Sequence, residues 1–209
     1  MTRKGMLLVL MQPPVHLEEE YNDWYDTEHL VDRLSAPGFE AGRRYVSAGG
    51  GQRTYIAVYD LENVHVLETP EYHKLSGNSF TPWTKRLMRR IRRYRMLTEQ
   101  VFPGDTISEP CSHMFLARFS GLSRADESAV VDGVRAAFAA QPQTLQYRVF
   151  TEEKDGAIAY LALVGGCAPA ENGMTVEKLG RRVAGSVDLV LSLTPHRIGM
   201  TWERSIDEK

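Results

Sequence analysis

One order of elements, strand–helix–strand–strand–helix–strand, can be read twice along this chain, and it restricts the available folds more than any single motif does. The first pass opens with Met6 to Gln12, a short continuous apolar run closed by Pro13-Pro14, as expected of a buried strand. Leu17 to Leu34 has helical spacing, with Glu18, Glu19 and Glu20 in its first turn and Ala36-Pro37-Gly38 as its stop. Phe39 to Ser47 and Arg53 to Leu61 read as a hairpin around Ala48 to Gly51. Asn63 to Leu75 is helical, with a restart at Thr69-Pro70. A further short helix lies within Ser79 to Arg90, capped by Ser79 or Thr81 with Pro82 first, and Ile91 to Val101 is a fourth strand.

The second pass follows a turn-rich stretch, Phe102 to Pro110. His113 to Phe119 is a strand, and Arg124 to Ala140 is a helix capped by Ser123. Leu145 to Glu152 and Ala157 to Val164 form a hairpin with Asp155-Gly156 at its turn. Thr175 to Val183 is a helix and Val187 to Leu193 a strand, which Met200 to Arg204 extends or follows. Corresponding elements lie about 102 to 107 residues apart. The expected fold is α+β: two tandem ferredoxin-like βαββαβ units, 1–102 and 111–209, joined by a linker at 103–110. A four-stranded sheet with helices on one face leaves its other face bare, so the units should pair sheet to sheet as a pseudodimeric α/β barrel.

With 209 residues, a net charge of −2 and 43% hydrophobic residues, the chain has the composition of an ordinary globular protein. That charge offers no general attraction to nucleic acid or to an anionic membrane. No apolar run approaches the roughly 20 residues needed to span a bilayer. Met6 to Met11 is too short for a signal-peptide core. Two cysteines, Cys111 and Cys167, cannot build a disulfide framework and are expected as free thiols in the cytoplasm, although the strand order would allow them to approach. The basic run from Lys85 to Arg95 reads as a solvated helix face followed by a charged edge strand. An anionic small ligand is the sharper alternative. No histidine has metal-ligand spacing, and Gly49-Gly50-Gly51 precedes a strand, so it lacks the context of a phosphate loop.

The densest chemistry lies in Glu18 to Phe39. On a regular helical wheel Leu17, Tyr21, Trp24 and Val31 share one face, and Glu28 falls in its middle. Tyr25 and Asp32 lie on a shoulder with His29 and Asn22 beyond, and Leu30 and Leu34 point elsewhere. A carboxylate on an apolar stripe needs a partner, for which Arg33, Arg43 and Arg44 are available. One reading makes Glu28, His29 and Tyr25 the lining of a cavity between helix and sheet. His29 is then a general acid or base, Glu28 or Asp32 tunes it, and Tyr21 and Trp24 help to bind a substrate. The other reading is structural: Glu28 pairs with an arginine and His29 caps the helix C-terminus.

YNDWYDTEHLVDRLSAPGF resembles the first-helix signature of EthD-like proteins of the dimeric α/β-barrel superfamily: an aromatic pair, Glu-His, then Pro-Gly-Phe entering the next strand. TPEYHKLSGNSFTPWTKRL is similar to a later stretch of the same proteins, so the resemblance covers about Gly5 to Val101. Val31 stands where the pattern has proline, and the helix of the second half lacks the Glu-His pair. The resemblance implies the barrel fold, a site carried once in the chain with Glu28 and His29 in the family's positions, and no cofactor. EthD-like proteins accompany catabolic or biosynthetic pathways, and Glu28-His29 beside Trp24 and Tyr25 points to a small apolar or aromatic substrate. Haem-degrading members of the superfamily hold iron through a histidine on the second helix, which would correspond to His73. A non-catalytic binding protein, a haem protein and a homodimer stay open, as do the substrate and the reaction.

Overall fold

The computed structural model describes residues 3–47, 52–169, 186–196 and 202–203. The expected turn at Ala48 to Gly51 and the helix at Thr175 to Val183 lie outside the described residues. Eight strands form a closed ring: β1 (Gly5–Gln12), β2 (Phe39–Ser47), β3 (Tyr55–Leu61), β4 (Arg92–Phe102), β5 (His113–Leu122), β6 (Thr144–Lys154), β7 (Ala157–Gly166) and β8 (Ser186–Pro195). Their order is β2-β3-β1-β4-β6-β7-β5-β8, returning to β2, and every pairing is antiparallel. A two-residue strand, β9 (Trp202–Glu203), adds to β2. The protein is therefore α+β, an eight-stranded antiparallel barrel with helices packed outside it.

The continuous apolar run of β1 follows from this closure, because both faces of the strand are buried. Met6 and Leu8 point into the barrel beside Val58, Met96, Phe150 and Leu161, whereas Leu7, Val9 and Met11 point out beneath the helices. β3 divides in the same way: Ile56 and Val58 face in, while Tyr55, Ala57 and Tyr59 face out. A bulge at Glu40 shifts the parity of β2, so Phe39 and Gly42 both lie on the helix side. A side chain at Gly42 would come within 2.9 Å of Leu30 and 3.2 Å of Tyr59, so glycine there allows the close helix–sheet approach.

Outside the barrel lie α1 (Glu18–Trp24), α2 (Leu30–Ser35), α3 (Pro70–His73), α4 (Pro82–Met88) and α5 (Glu127–Phe138). Thr69 and Thr81 cap α3 and α4 through their hydroxyls, each ahead of a proline in the first turn. Ser123 and Asp126 form a reciprocal capping box before α5. The β6–β7 turn has Asp155 and Gly156 at φ 52° and 77°, as a two-residue Asp-Gly hairpin requires.

β4 is an edge only in part. β1 pairs with it from Arg92 to Glu99, while β6 joins it from Glu99 onward, leaving the opposite side of Arg92 to Thr98 without a strand partner among the described residues. At the other end of the barrel, the stretch read as a linker is held by buried polar groups. Arg148 bonds the Asp60 carboxylate at 2.6 Å and the Thr106 carbonyl at 3.2 Å, and the Ser108 amide donates to Asp60 at 2.9 Å. Arg43 donates to the Ser108 carbonyl at 2.8 Å.

Candidate functional site

Between α1 and α2 the helix does not keep its ordinary period. Tyr25–His29 forms one π-helical turn, with amides bonding five residues back instead of four. Such a turn holds one extra residue, so everything after it is displaced by about one position on the wheel. His29 therefore occupies the inward position that regular spacing assigns to Glu28. His29 is 8% exposed, Leu30 is fully buried and Val31 is 45% exposed. The expected burial of Glu28 and Val31, and the placing of His29 beyond the buried face and of Leu30 away from it, are corrected by this single irregularity. Asn22 and Asp26 are also buried, where they bond Arg44.

A cavity of about 640 Å3 opens between the outer face of the barrel and the helices. Its floor alternates along two strands: Leu7, Val9 and Met11 of β1 face Leu97, Arg95 and Arg93 of β4 across the ladder. His29 and Arg33 form the helix wall, and Tyr72, His73 and Phe80 close the opposite side. The His29 ring stacks on Trp24 at 4.4 Å and meets Tyr25 edge-on at 5.1 Å. Burial first, and then the positive charges of Arg33, Arg44 and Arg93, hold its imidazole well below the ordinary histidine range, so it is neutral at physiological pH. No described residue hydrogen-bonds its ring nitrogens, which leaves them to whatever fills the cavity.

Of the six residues singled out from the sequence, His29 alone lines this cavity. Glu28 is partly exposed and accepts hydrogen bonds from the Thr81 and Thr84 hydroxyls at 2.6 and 2.9 Å. Its partners are thus two threonines of the α4 N-terminus, and none of the expected arginines. Trp24 lies one bond along the same chain, donating from Nε1 to Thr84 at 2.9 Å. Tyr25 is buried behind His29 and accepts from the Tyr59 hydroxyl at 2.9 Å, and the Arg44 guanidinium lies 4.3 Å above its ring. Burial pushes the phenols of Tyr25 and Tyr59 up, keeping both protonated. Tyr21 is a core residue packed on Trp24, Tyr25 and Tyr55. Asp32 is partly exposed, and burial followed by the Glu28 charge raises its carboxyl.

Arg33, Tyr59, Tyr72, Arg93 and Arg95 belong to the site and were missed from the sequence, or read as surface. A signal for two of them existed. In the expected topology β1 and β4 are neighbours, so Arg93 and Arg95 share a strand face with Leu97 and meet the outward side of β1. Both cysteines are free thiols, Cys111 partly buried and Cys167 exposed. Among the described residues no helix is long and apolar enough to cross a membrane, and no group of three His, Cys, Asp or Glu residues is placed to hold a metal ion.

No protein-family model and no curated protein matches the chain in sequence. Solved structures match it in fold. An anthrone oxidase-like protein superposes with a TM-score of 0.62 at 11% identity, covering 97% of this chain and 94% of that one. A mutant chlorite dismutase from Candidatus Nitrospira defluvii gives 0.55 at 9% identity, covering 92% and 90%. A haem-binding protein from Thermus thermophilus gives 0.52 at 11% identity, covering 93% and 92%. The likeness extends over nearly the whole of each chain. At such low identity what is shared is the fold.

Proposed function

We propose that the chain is a cofactor-independent enzyme that takes a small, largely apolar or aromatic molecule into the cavity beside His29, in a catabolic or biosynthetic pathway. The observation that carries this reading is a neutral, buried imidazole with unengaged nitrogens on the wall of a 640 Å3 space whose lining combines apolar and aromatic groups with several arginines. His29 is assigned as the proton acceptor. Glu28 acts through Thr84 on Trp24, the ring on which His29 stacks, and so is a positioning residue. Tyr25, Trp24 and Tyr21 support the wall from behind, and Asp32 adds charge at its outer rim. The anthrone oxidase-like neighbour supports polycyclic phenols and anthrones as the first compounds to try.

The reading extends to the molecule. The two passes of elements are assigned as ferredoxin-like units, 1–102 and 111–209, with 103–110 between them. The first is assigned to the EthD-like branch and carries the site. One chain then supplies both halves of a barrel, so a homodimer is not needed to close it, and a cytoplasmic location accompanies the free thiols. The test is oxygen uptake and product analysis with anthrones, hydroquinones and related phenols on wild type, His29→Ala and His29→Gln. Turnover lost in both variants supports the assignment, and unchanged turnover in both removes His29 from the mechanism. Ligand-dependent stabilisation without any product favours a binding protein instead.

Haem is a second reading, carried by the presence of His73 on the cavity wall. The fit is poor. His73 is exposed and no described residue bonds its ring nitrogens, whereas an iron-ligating histidine ordinarily has such an orienting partner. A Soret band that appears on haem addition and is lost in His73→Ala would restore it.

A further inference from the structure

Arg33 is the least expected group in the cavity. It is 4% exposed, and its Nη1 is enclosed with no hydrogen-bond partner. No carboxylate among the described residues forms an ion pair with it. Its guanidinium instead lies 5.0 Å from the centre of the Tyr72 ring and 5.5 Å from that of Phe80. The two acidic side chains that reach the far end of the cavity are already engaged, Glu152 by Arg118 and Glu153 by Arg124. Arg95 donates to the Tyr72 hydroxyl at 3.0 Å, which supports the ring under Arg33. The adjacent Asp32 carboxylate feels the Arg33 charge without forming an ion pair with it, and a buried cation with no contacting counter-charge is unfavourable unless something supplies one. The planar fork of a guanidinium matches a carboxylate or another planar oxyanion, and flanking aromatic rings hold that fork in place.

We infer that the ligand of this cavity is an aromatic molecule bearing one anionic oxygen group, a carboxylate or a phenolate, which pairs with Arg33 while its rings rest on Tyr72, Phe80 and the apolar floor. This inference rests on the proposed reading of the cavity as a ligand site, and it specifies the charge of the occupant. It also gives a reason for the company His29 keeps. The negative charge of the ligand offsets the field of Arg33, so the imidazole becomes a better proton acceptor once the ligand is seated.

The experiment compares 2-naphthoate with 2-naphthamide, which share shape but differ in charge, by calorimetry at pH 7.5 on the full chain. Wild type should bind the acid at least tenfold more tightly than the amide. Arg33→Met should lose that preference while still binding the amide, and Arg33→Lys should retain part of it. Arg95→Met should weaken acid binding less than Arg33→Met does. If Arg33→Met does not fold, the acid-to-amide ratios of wild type and Arg33→Lys decide the matter, a ratio undiminished in Arg33→Lys counting against the inference. Equal wild-type affinities would overturn the inference and leave the cavity reading standing, as would a preference that survives in Arg33→Met or a larger loss in Arg95→Met. If neither probe binds or shifts the melting temperature, the inference and the cavity reading both fall.

Discussion

His29 and Glu28 are neighbours in sequence with separate surroundings. Glu28 accepts hydrogen bonds from two hydroxyls at the start of α4, whereas His29 is packed between rings with cations around it. The depressed imidazole has a consequence for stability. Below about 6.5, its ordinary value, the unfolded chain takes up a proton that the folded chain refuses. Stability should therefore fall as pH drops from about 6.5 towards the folded-state value, by at most about 1.4 kcal/mol per pH unit from this one group. Above that range both states are neutral and the group contributes no slope. Urea unfolding of wild type and His29→Gln at pH 7.5 and pH 5 tests the sign: the variant should lose less stability on acidification, and equal losses would contradict the burial of a neutral imidazole.

At the scale of the element, the π-turn decides which side of the first helix faces the sheet. Tyr21 and Trp24 pack inward before it, Tyr25 and His29 at its two ends, and Leu30 and Arg33 after it. Regular spacing over the whole segment would bury Val31 instead. Because the turn absorbs one residue, deleting exposed Thr27 should convert it to ordinary helix and leave Leu30 and Leu34 facing the core. Deleting Val31, just beyond the turn, should rotate Arg33 and Leu34 by about 100° out of their seats. Thermal denaturation is expected to show a folded protein with a modestly lowered midpoint in the first case and collapse of the cooperative transition in the second. The opposite ranking would mean that the turn does not set the phase.

At the scale of the molecule, the barrel interior belongs to both halves of the chain. Met6, Leu8 and Met96 from the first pack against Met114, Phe150 and Leu161 from the second. Asp60 and Arg148, both 2% exposed or less, join the halves through an ion pair at 2.6 Å. A shared core should unfold as one unit, so in a Trp202→Phe background the fluorescence of Trp24 and Trp83 in the first half and far-UV circular dichroism of the whole chain should give coincident urea transitions. Arg148→Met leaves the Asp60 carboxylate buried without its cation and should cost about 3–5 kcal/mol, whereas adding Asp60→Asn should recover part of that loss. Full additivity of the two substitutions would show that the pair does not couple the halves.

Much of this was legible in the residues themselves. The two-faced burial of β1 is written in its unbroken apolar run. The bounds of β2, the Thr-Pro starts of α3 and α4, the Ser123 cap and the Asp155-Gly156 turn depend on near neighbours, and near neighbours are what a sequence displays. The choice of the first helix as one wall of the candidate cavity came from its own composition. The side of that helix did not. An α- and a π-turn differ by one hydrogen-bond register, and that register is set by the simultaneous fit of Tyr21 and Trp24 ahead of it and Leu30 behind it against Tyr59 and Gly42. The burial of Arg33 was likewise invisible, because it needs Tyr72 and Phe80 from segments some 40 residues away to close over it. Local pattern determined the elements and their order. Tertiary packing decided which of two adjacent residues faces the cavity, and which cation lies there between aromatic rings with no ion-pair partner among the described residues.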